Sequence, residues 1–310
     1  MMYSNILELI GNQPLVRLQR LTKDIPAEIL IKVEYFNPSG SIKDRIALYM
    51  LDEAEKRGEI TPDTTIIEPT SGNTGIALSM VSAVKGYKMI AVMPEAASLE
   101  RRRSMQLFGA QVELTKCVDK TKGVTEADVK FAIKRARELH QIIPNSYMPN
   151  QFENMDNVKI HAKATAQEIL AQTSGKFNVF IAAVGTGGTF SGISKVLQQK
   201  YPLIKRIAVE PAASAVLSGN KSGFHHIEGI GEGFIPQVMD TALIDEIVKI
   251  SDKEALQTAR LLWRNEGIMA GISAGANVAA ALKIGKTMHA GEVIVTIIPD
   301  FGFRYFSAGL

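Results

Sequence analysis

The chain of 310 residues has a single cysteine, Cys117. That excludes an intramolecular disulfide and a cysteine-rich metal site, and it fits a reducing compartment. Cys117 follows the strand-like run AQVELTK with no His or Asn near it in sequence, so it does not read as a thiol nucleophile. Aromatic residues are scarce, at 6%, and none interleave with the basic runs Arg101-Arg102-Arg103 and Lys134-Arg135. Those runs read as solvated helix faces, and a net charge of +3 adds no case for nucleic acid. No apolar run nears the ~18 residues that span a bilayer. The N-terminal MMYSNILELIGNQP lacks the basic-then-apolar order of a secretory signal. His225 and His226 are adjacent, with no acid or cysteine at ligand spacing, so no metal site is expected. The expectation is a cytoplasmic protein with neither a membrane nor a nucleic acid as partner.

What is present is ordinary for a globular chain: 46% hydrophobic and 22% charged residues, and length enough for two cores. Short β-branched runs (EILIKVEYF, TTIIEPT, KMIAVMPE, AQVELTK, NVFIAAVG, RIAVEP, DEIVKIS, EVIVTIIP) alternate with segments of helical spacing such as DRIALYMLDEAEKRG and EADVKFAIKRARELH. Several strands are nearly unbroken apolar runs, the mark of parallel sheets covered on both faces. The class is α/β. The Pro- and Asn-rich stretch IIPNSYMPNQFENMDN, 142–157, reads as a boundary. Two open, twisted, mainly parallel α/β domains are expected, 1–145 and 146–310, with a ligand cleft between them.

In open α/β sheets ligands bind beyond the carboxyl ends of strands, and four loops there are unusual. GTGGT, Gly185 to Thr189, follows NVFIAAV and leads into FSGISKVLQQ. Its glycines let the backbone approach an anion, with free N–H groups at the next helix start and hydroxyls from Thr186 and Thr189. The alternative is a glycine turn that merely packs helix on strand. No G-x-x-x-x-G-K-[ST] occurs, and the third glycine of a dinucleotide fingerprint would fall on Phe190. A small phosphorylated cofactor fits better than a nucleotide. TSGNTG, Thr70 to Gly75, is either a helix cap built from Ser71, Asn73 and Thr74 or a cradle for a carboxylate. GISAGAN, Gly271 to Asn277, opens the helix VAAALKIG.

The fourth loop, NPSGSIKDRIA, puts Lys43 in the first turn of a helix, where a cation opposes the dipole. An ordinary surface lysine is one reading. The other is functional: an ammonium held there and shielded from water is destabilised, and such an amine suits covalent bonding to a carbonyl cofactor. A phosphate cradle, a carboxylate cradle and an activated lysine together suggest pyridoxal phosphate acting on an amino acid.

Through these motifs the chain resembles the cysteine synthase (O-acetylserine sulfhydrylase) family, of the tryptophan-synthase-β type (fold type II) of pyridoxal-phosphate enzymes. The resemblance runs nearly end to end, through IGNQPLVRL, NPSGSIKDRIA, EPTSGNTGIAL, SLERR, NQFEN, GTGGTFSGI, EGIGEGFIP, EGIMAGISAGAN and RYFSAG. It implies pyridoxal 5'-phosphate on Lys43, with Asn73 bonding the ring oxygen, Gly185, Thr186, Gly187, Gly188 and Thr189 holding the phosphate, and Ser273 facing the pyridine nitrogen. It implies that Thr70, Ser71, Gly72, Thr74 and Gln151 bind the substrate carboxylate. The implied reaction is β-replacement on O-acetylserine by sulfide, through an α-aminoacrylate, with Lys43 as general base. A homodimer, serine acetyltransferase as a partner, and an early strand near 13–35 crossing to the other domain are implied as well. Ala97, Ala166-Gln167, Asp300 and Phe303 depart from the family pattern. Asp300 points toward relatives that use O-phosphoserine or serine, of the cystathionine β-synthase kind, and a non-catalytic paralogue is the further alternative.

Overall fold

The structure, a computed structural model, describes residues 2–118 and 124–310. In chain order run β1 (Leu15–Arg17), β2 (Glu28–Val33), α1 (Lys43–Lys56), β3 (Thr65–Pro69), α2 (Asn73–Lys85), β4 (Lys88–Pro94), α3 (Leu99–Leu107), β5 (Gln111–Thr115), α4 (Glu126–Ile142) and β6 (Ser146–Tyr147). Then follow α5 (Asp156–Ile160), α6 (Ala166–Thr173), β7 (Val179–Ala183), α7 (Gly188–Lys200), β8 (Lys205–Pro211), β9 (Glu246–Ile250), α8 (Asp252–Leu261), α9 (Ile272–Gly285) and β10 (Val293–Ile298). The chain divides into two units, Met1–Ile10 with Asn37–Asp156, and Gly11–Phe36 with Asn157–Leu310.

The first unit carries a four-stranded parallel sheet in the order β5-β4-β3-β6. Neighbouring residues of β3 point to opposite faces. Ile66 packs with Ala47 and Leu51 of α1 and Ile76 of α2, whereas Ile67 packs with Ala132 and Ala136 of α4. Burial of both faces explains the unbroken apolar run in the sequence. The chain steps from β3 to β4 to β5 and then returns to the other side of β3, so the β3/β6 pair is where the winding reverses.

The second unit carries a six-stranded sheet in the order β1-β2-β10-β7-β8-β9. Only the β1–β2 pairing is antiparallel; the other pairings run parallel. Winding reverses here at β7/β10. The all-round buried α9 lies in this unit's core with Ile29, Ile31, Ile181, Ile207 and Ile294.

Three helices begin earlier than the apolar spacing suggests. α2 starts at Asn73, α7 at Gly188 and α9 at Ile272, so the ends of TSGNTG and GTGGT and most of GISAGAN are helical rather than loop. For α9 the reason is packing: a Cβ on Gly275 would lie 2.0 Å from the Ala255 carbonyl of α8. Small residues permit that approach and carry no amphipathic signal. α5 and α6 form one helix interrupted by a π-helical turn, His161–Thr165. Ala166 and Gln167 simply continue it.

The N-terminal edge of the second unit is pinned by a buried charge. Lys32 of β2 reaches Glu168 of α6 at 2.7 Å and Gln172 Oε1 at 2.9 Å, and also donates to the Gln13 carbonyl. Glu168 accepts the N–H groups of Asn12 and Gln13 at 3.0 and 3.1 Å. Removing one member of a buried pair strands the other's charge. Glu168→Ala is expected to cost roughly 3–5 kcal/mol in a urea denaturation.

Candidate active site

The helices that begin at the four loops share one property. α1, α2, α7 and α9 have no side chain hydrogen-bonded to the first turn from the cap position, as also holds for α3. α4 and α8 instead carry complete capping boxes, Thr125 with Asp128 and Ser251 with Glu254. First-turn N–H groups at the loops are thereby left to other partners.

In the first unit, NPSGS folds back on the helix it precedes. Gly40 takes φ 84°, its N–H donates to the Asn37 carbonyl at 2.7 Å, and the buried Asp44 carboxylate accepts the N–H of Ser39 at 2.6 Å and its hydroxyl. The backbone N–H of Lys43, half-buried as the first residue of α1, donates to Ser41 Oγ at 3.2 Å. Asp44 in the same turn supplies the negative charge the dipole prefers, which offsets the cation.

TSGNTG follows β3. Thr70 Oγ1 accepts the N–H groups of Gly75 at 3.0 Å and Gly72 at 3.4 Å. Thr70 thus does the local fastening expected of Ser71, Asn73 or Thr74. Ser71, Gly72 and Asn73 are half-buried at the turn, and the Ser71 carbonyl receives Arg101 Nη1 at 3.4 Å. The buried Thr74 hydroxyl donates to Gln151 Oε1 at 2.6 Å. The loops after β3 and β6 therefore meet where the sheet reverses its winding, the position at which α/β sheets bind ligands.

In the second unit, the strand-to-helix turn after β7 packs its glycines closely against neighbouring atoms. Gly187 has φ 89°. A Cβ on Gly188 would lie 1.9 Å from Asn157 Oδ1, and one on Gly185 would lie 2.3 Å from the Gly229 carbonyl. Thr186 Oγ1 accepts Asn157 Nδ2 at 3.1 Å and the Gly188 N–H at 3.3 Å. Thr189 Oγ1 lies 3.2 Å from Nε2 of the buried His161, whose Nδ1 is 3.0 Å from Thr165 Oγ1. Buried Ser273 stands in the first turn of α9. Glycines ahead of a helix whose cap residue offers no side chain to the first-turn N–H groups suit an anion.

Three residues that organise these loops were not singled out by the sequence. His161 gave no signal, being a lone histidine. Asn277 breaks an apolar helix. It sits where β7 and β10 part: their register ends at Ile181 and Thr296, beyond which the Ala183 N–H donates to Asn277 Oδ1 at 2.6 Å and Asn277 Nδ2 donates to the Ile297 carbonyl at 2.8 Å. Glu68 interrupts the apolar strand TIIEP. Its carboxylate accepts the N–H groups of Asn150 and Gln151 at 2.8 and 3.0 Å. Burial drives its pKa from 4.5 up to about 7, and those two bonds only partly oppose the rise.

Of the departures from the family pattern, Ala97 is buried in the first unit's core. Asp300 is buried, accepts the Tyr305 hydroxyl and packs against Gly271. Phe303 is exposed on a cluster with Trp263, Phe301 and Phe306. Among the described residues no group of three or more His, Cys, Asp or Glu could hold a metal ion, and no helix is long and apolar enough to cross a membrane.

A glycine turn ahead of α7, the TSGNTG turn ahead of α2 and a lysine opening α1 are the features that the resemblance to pyridoxal-phosphate enzymes implies. The chain belongs to the pyridoxal-phosphate dependent enzymes, whose family model matches residues 6–300. It is 45% identical over 308 residues to a cysteine synthase of Staphylococcus aureus, spanning 99% of this chain and 96% of that protein. The crystal structure of a cysteine synthase from Entamoeba histolytica shares 42% identity at a TM-score of 0.92, over 99% of this chain and 90% of that one. An O-acetylserine dependent cystathionine beta-synthase from Helicobacter pylori shares 40% identity at a TM-score of 0.92, over 100% and 99% of the two chains. The residues fit the cofactor: the turn from Gly185 to Thr189 brings backbone N–H groups and two threonine hydroxyls to the start of α7, a donor set that suits a phosphate, while packing against the Gly229 carbonyl and Asn157 requires glycine at Gly185 and Gly188.

Asn277→Leu orphans the Ala183 N–H and the Ile297 carbonyl, and is expected to cost about 2–3 kcal/mol in a denaturant melt. Glu68 sets a pH dependence. Because its folded pKa lies above the unfolded value, the native state binds more protons between pH 4.5 and about 7, and stability falls as pH rises through that window. Glu68→Gln should remove that fall, roughly 3 kcal/mol between pH 4.5 and 7; stability measured at both ends, wild type against variant, checks it.

Proposed function

We infer that the chain is a cysteine synthase: it replaces the acetate of O-acetyl-L-serine with sulfide to form L-cysteine. The observation that carries this is 45% identity to a cysteine synthase across 99% of the chain, with Lys43 and all four loops in place. In the reaction the Cβ–O bond breaks, acetate leaves, and a Cβ–S bond forms. The Cα proton is taken up and then returned, so the balance is O-acetylserine plus hydrogen sulfide to cysteine plus acetic acid.

Pyridoxal phosphate, when bound, supplies the electron sink that makes Cα acidic. The chain supplies the rest. Lys43 Nζ would be the covalent attachment point and the base that takes the Cα proton and gives it back. The N–H groups of Gly185, Thr186, Gly187, Gly188 and Thr189, with the two threonine hydroxyls, would hold the phosphate at the start of α7. Asn73 would bond the ring oxygen. Ser273 would face the pyridine nitrogen, where a neutral hydroxyl would not hold a proton as a carboxylate would. Thr70, Ser71, Gly72, Thr74 and Gln151 grip the substrate carboxylate through first-turn N–H groups, hydroxyls and an amide.

The same reading makes the protein a cytoplasmic homodimer, with serine acetyltransferase as its candidate protein partner. The family resemblance supports those assignments.

Purified protein loaded with pyridoxal phosphate should form cysteine from O-acetylserine and bisulfide with one acetate released per turnover. Turnover with O-phosphoserine in place of O-acetylserine, and none with O-acetylserine, would overturn the donor. Lys43→Ala is expected to lower kcat by at least about 10²-fold, measured by the same assay.

A further inference from the structure

We propose that Glu68 is a positioning residue for the substrate carboxylate: its two carboxylate oxygens set the Asn150–Gln151 turn, and through it the Thr74–Gln151 pair. The inference rests on the carboxylate-binding reading of that loop given above.

Glu68 is fully buried at the carboxyl end of β3, one residue short of TSGNTG. One oxygen takes the Asn150 N–H at 2.8 Å and the other the Gln151 N–H at 3.0 Å. Two successive peptide groups held by one carboxylate are fixed in angle as well as distance, and charge-assisted bonds are the stronger kind. The turn they hold is strained. Asn150 has φ 52°, a left-handed conformation uncommon outside glycine. Its carbonyl closes the turn by accepting the N–H groups of Glu153 and Asn154 at 3.0 and 2.9 Å, and Asn154 Nδ2 donates to the Pro149 carbonyl at 3.0 Å. Strain of this kind persists only where surrounding bonds over-determine it. The residue immediately after Asn150 is Gln151, with its Oε1 turned to the Thr74 hydroxyl at 2.6 Å. That orientation places the Nε2 donor on the opposite edge of the amide, the polarity a carboxylate ligand requires.

A carboxylate in an apolar strand is costly to bury. A neutral Gln could accept one of the two N–H bonds but would offer an NH₂ to the other. Glu68 thus does what no neutral residue of its shape can, and the group it aligns belongs to the substrate loop.

The test is a double-mutant cycle on holoenzyme: wild type, Glu68→Gln, Gln151→Ala and the double variant. L-Cysteine binding is read by isothermal titration, and KM and kcat are measured for O-acetylserine. Glu68→Gln is expected to weaken L-cysteine binding and raise KM by about tenfold, with a far smaller change in kcat. In the Gln151→Ala background it should change neither, because its effect passes through Gln151. Effects that multiply in the double variant, or unchanged binding in Glu68→Gln, overturn the proposal. If Glu68→Gln does not fold, Glu68→Asp, which keeps the charge and shortens the reach, carries the same cycle. A wild-type protein that binds L-cysteine yet makes none from O-acetylserine sinks the β-replacement reading alone, and the binding cycle still decides Glu68. A wild-type protein that binds no amino acid overturns both.

Discussion

Where two parallel strands part at their carboxyl ends, each loses its ladder partner, and a buried N–H or C=O cannot be left without one. Both sheets face this demand at the place where their winding reverses. In the second unit the Asn277 amide enters between β7 and β10, accepting from Ala183 and donating to Ile297. In the first, the Glu68 carboxylate takes the two N–H groups of the turn that follows β6. Each solution is a side chain used in place of a ladder rung, and each leaves the strand ends open for a loop that turns sharply into a helix.

The loops themselves set aside local preferences that α4 and α8 obey. α4 and α8 begin with full capping boxes, as helices do where stability alone matters. The four helices at the loops lack such caps, and a lysine opens one of them. At the turn from Gly185 to Thr189 the close contacts of Gly185 and Gly188 with Gly229 and Asn157 admit no side chain. Such local departures concentrate where a ligand completes the structure.

Buried charge is handled in two ways. Lys32 is matched by Glu168 and surrounded by acceptors, which neutralises it and ties the N-terminal segment to α6. Glu68 is met by backbone N–H groups, with no cation contributing to its shifted pKa. Dipoles stabilise an anion less completely than a counter-charge does, so its pKa stays near neutrality. A group that titrates there while holding the turn of Gln151 is a structural element tied, through Thr74, to the TSGNTG turn.

The α/β class, most strands, and the lysine and glycine loops were legible in the sequence because they are local: periodicity, turn chemistry and a misplaced cation all act within a dozen residues. Helix starts were less so, since small residues in GISAGAN pack on α8 without leaving an amphipathic pattern. Glu68 could be seen as a polar break in TIIEP, but its partners lie 82 and 83 residues away. Asn277 reaches Ala183 across 94 residues, and His161 reaches Thr189 across 28. Sequence by itself determined which chemical groups the chain carries and which elements present them. Tertiary structure alone decided which residues hold those groups in place, because a buried hydrogen-bonding group is satisfied by whatever the fold brings within 3 Å, and spacing along the chain does not encode that distance.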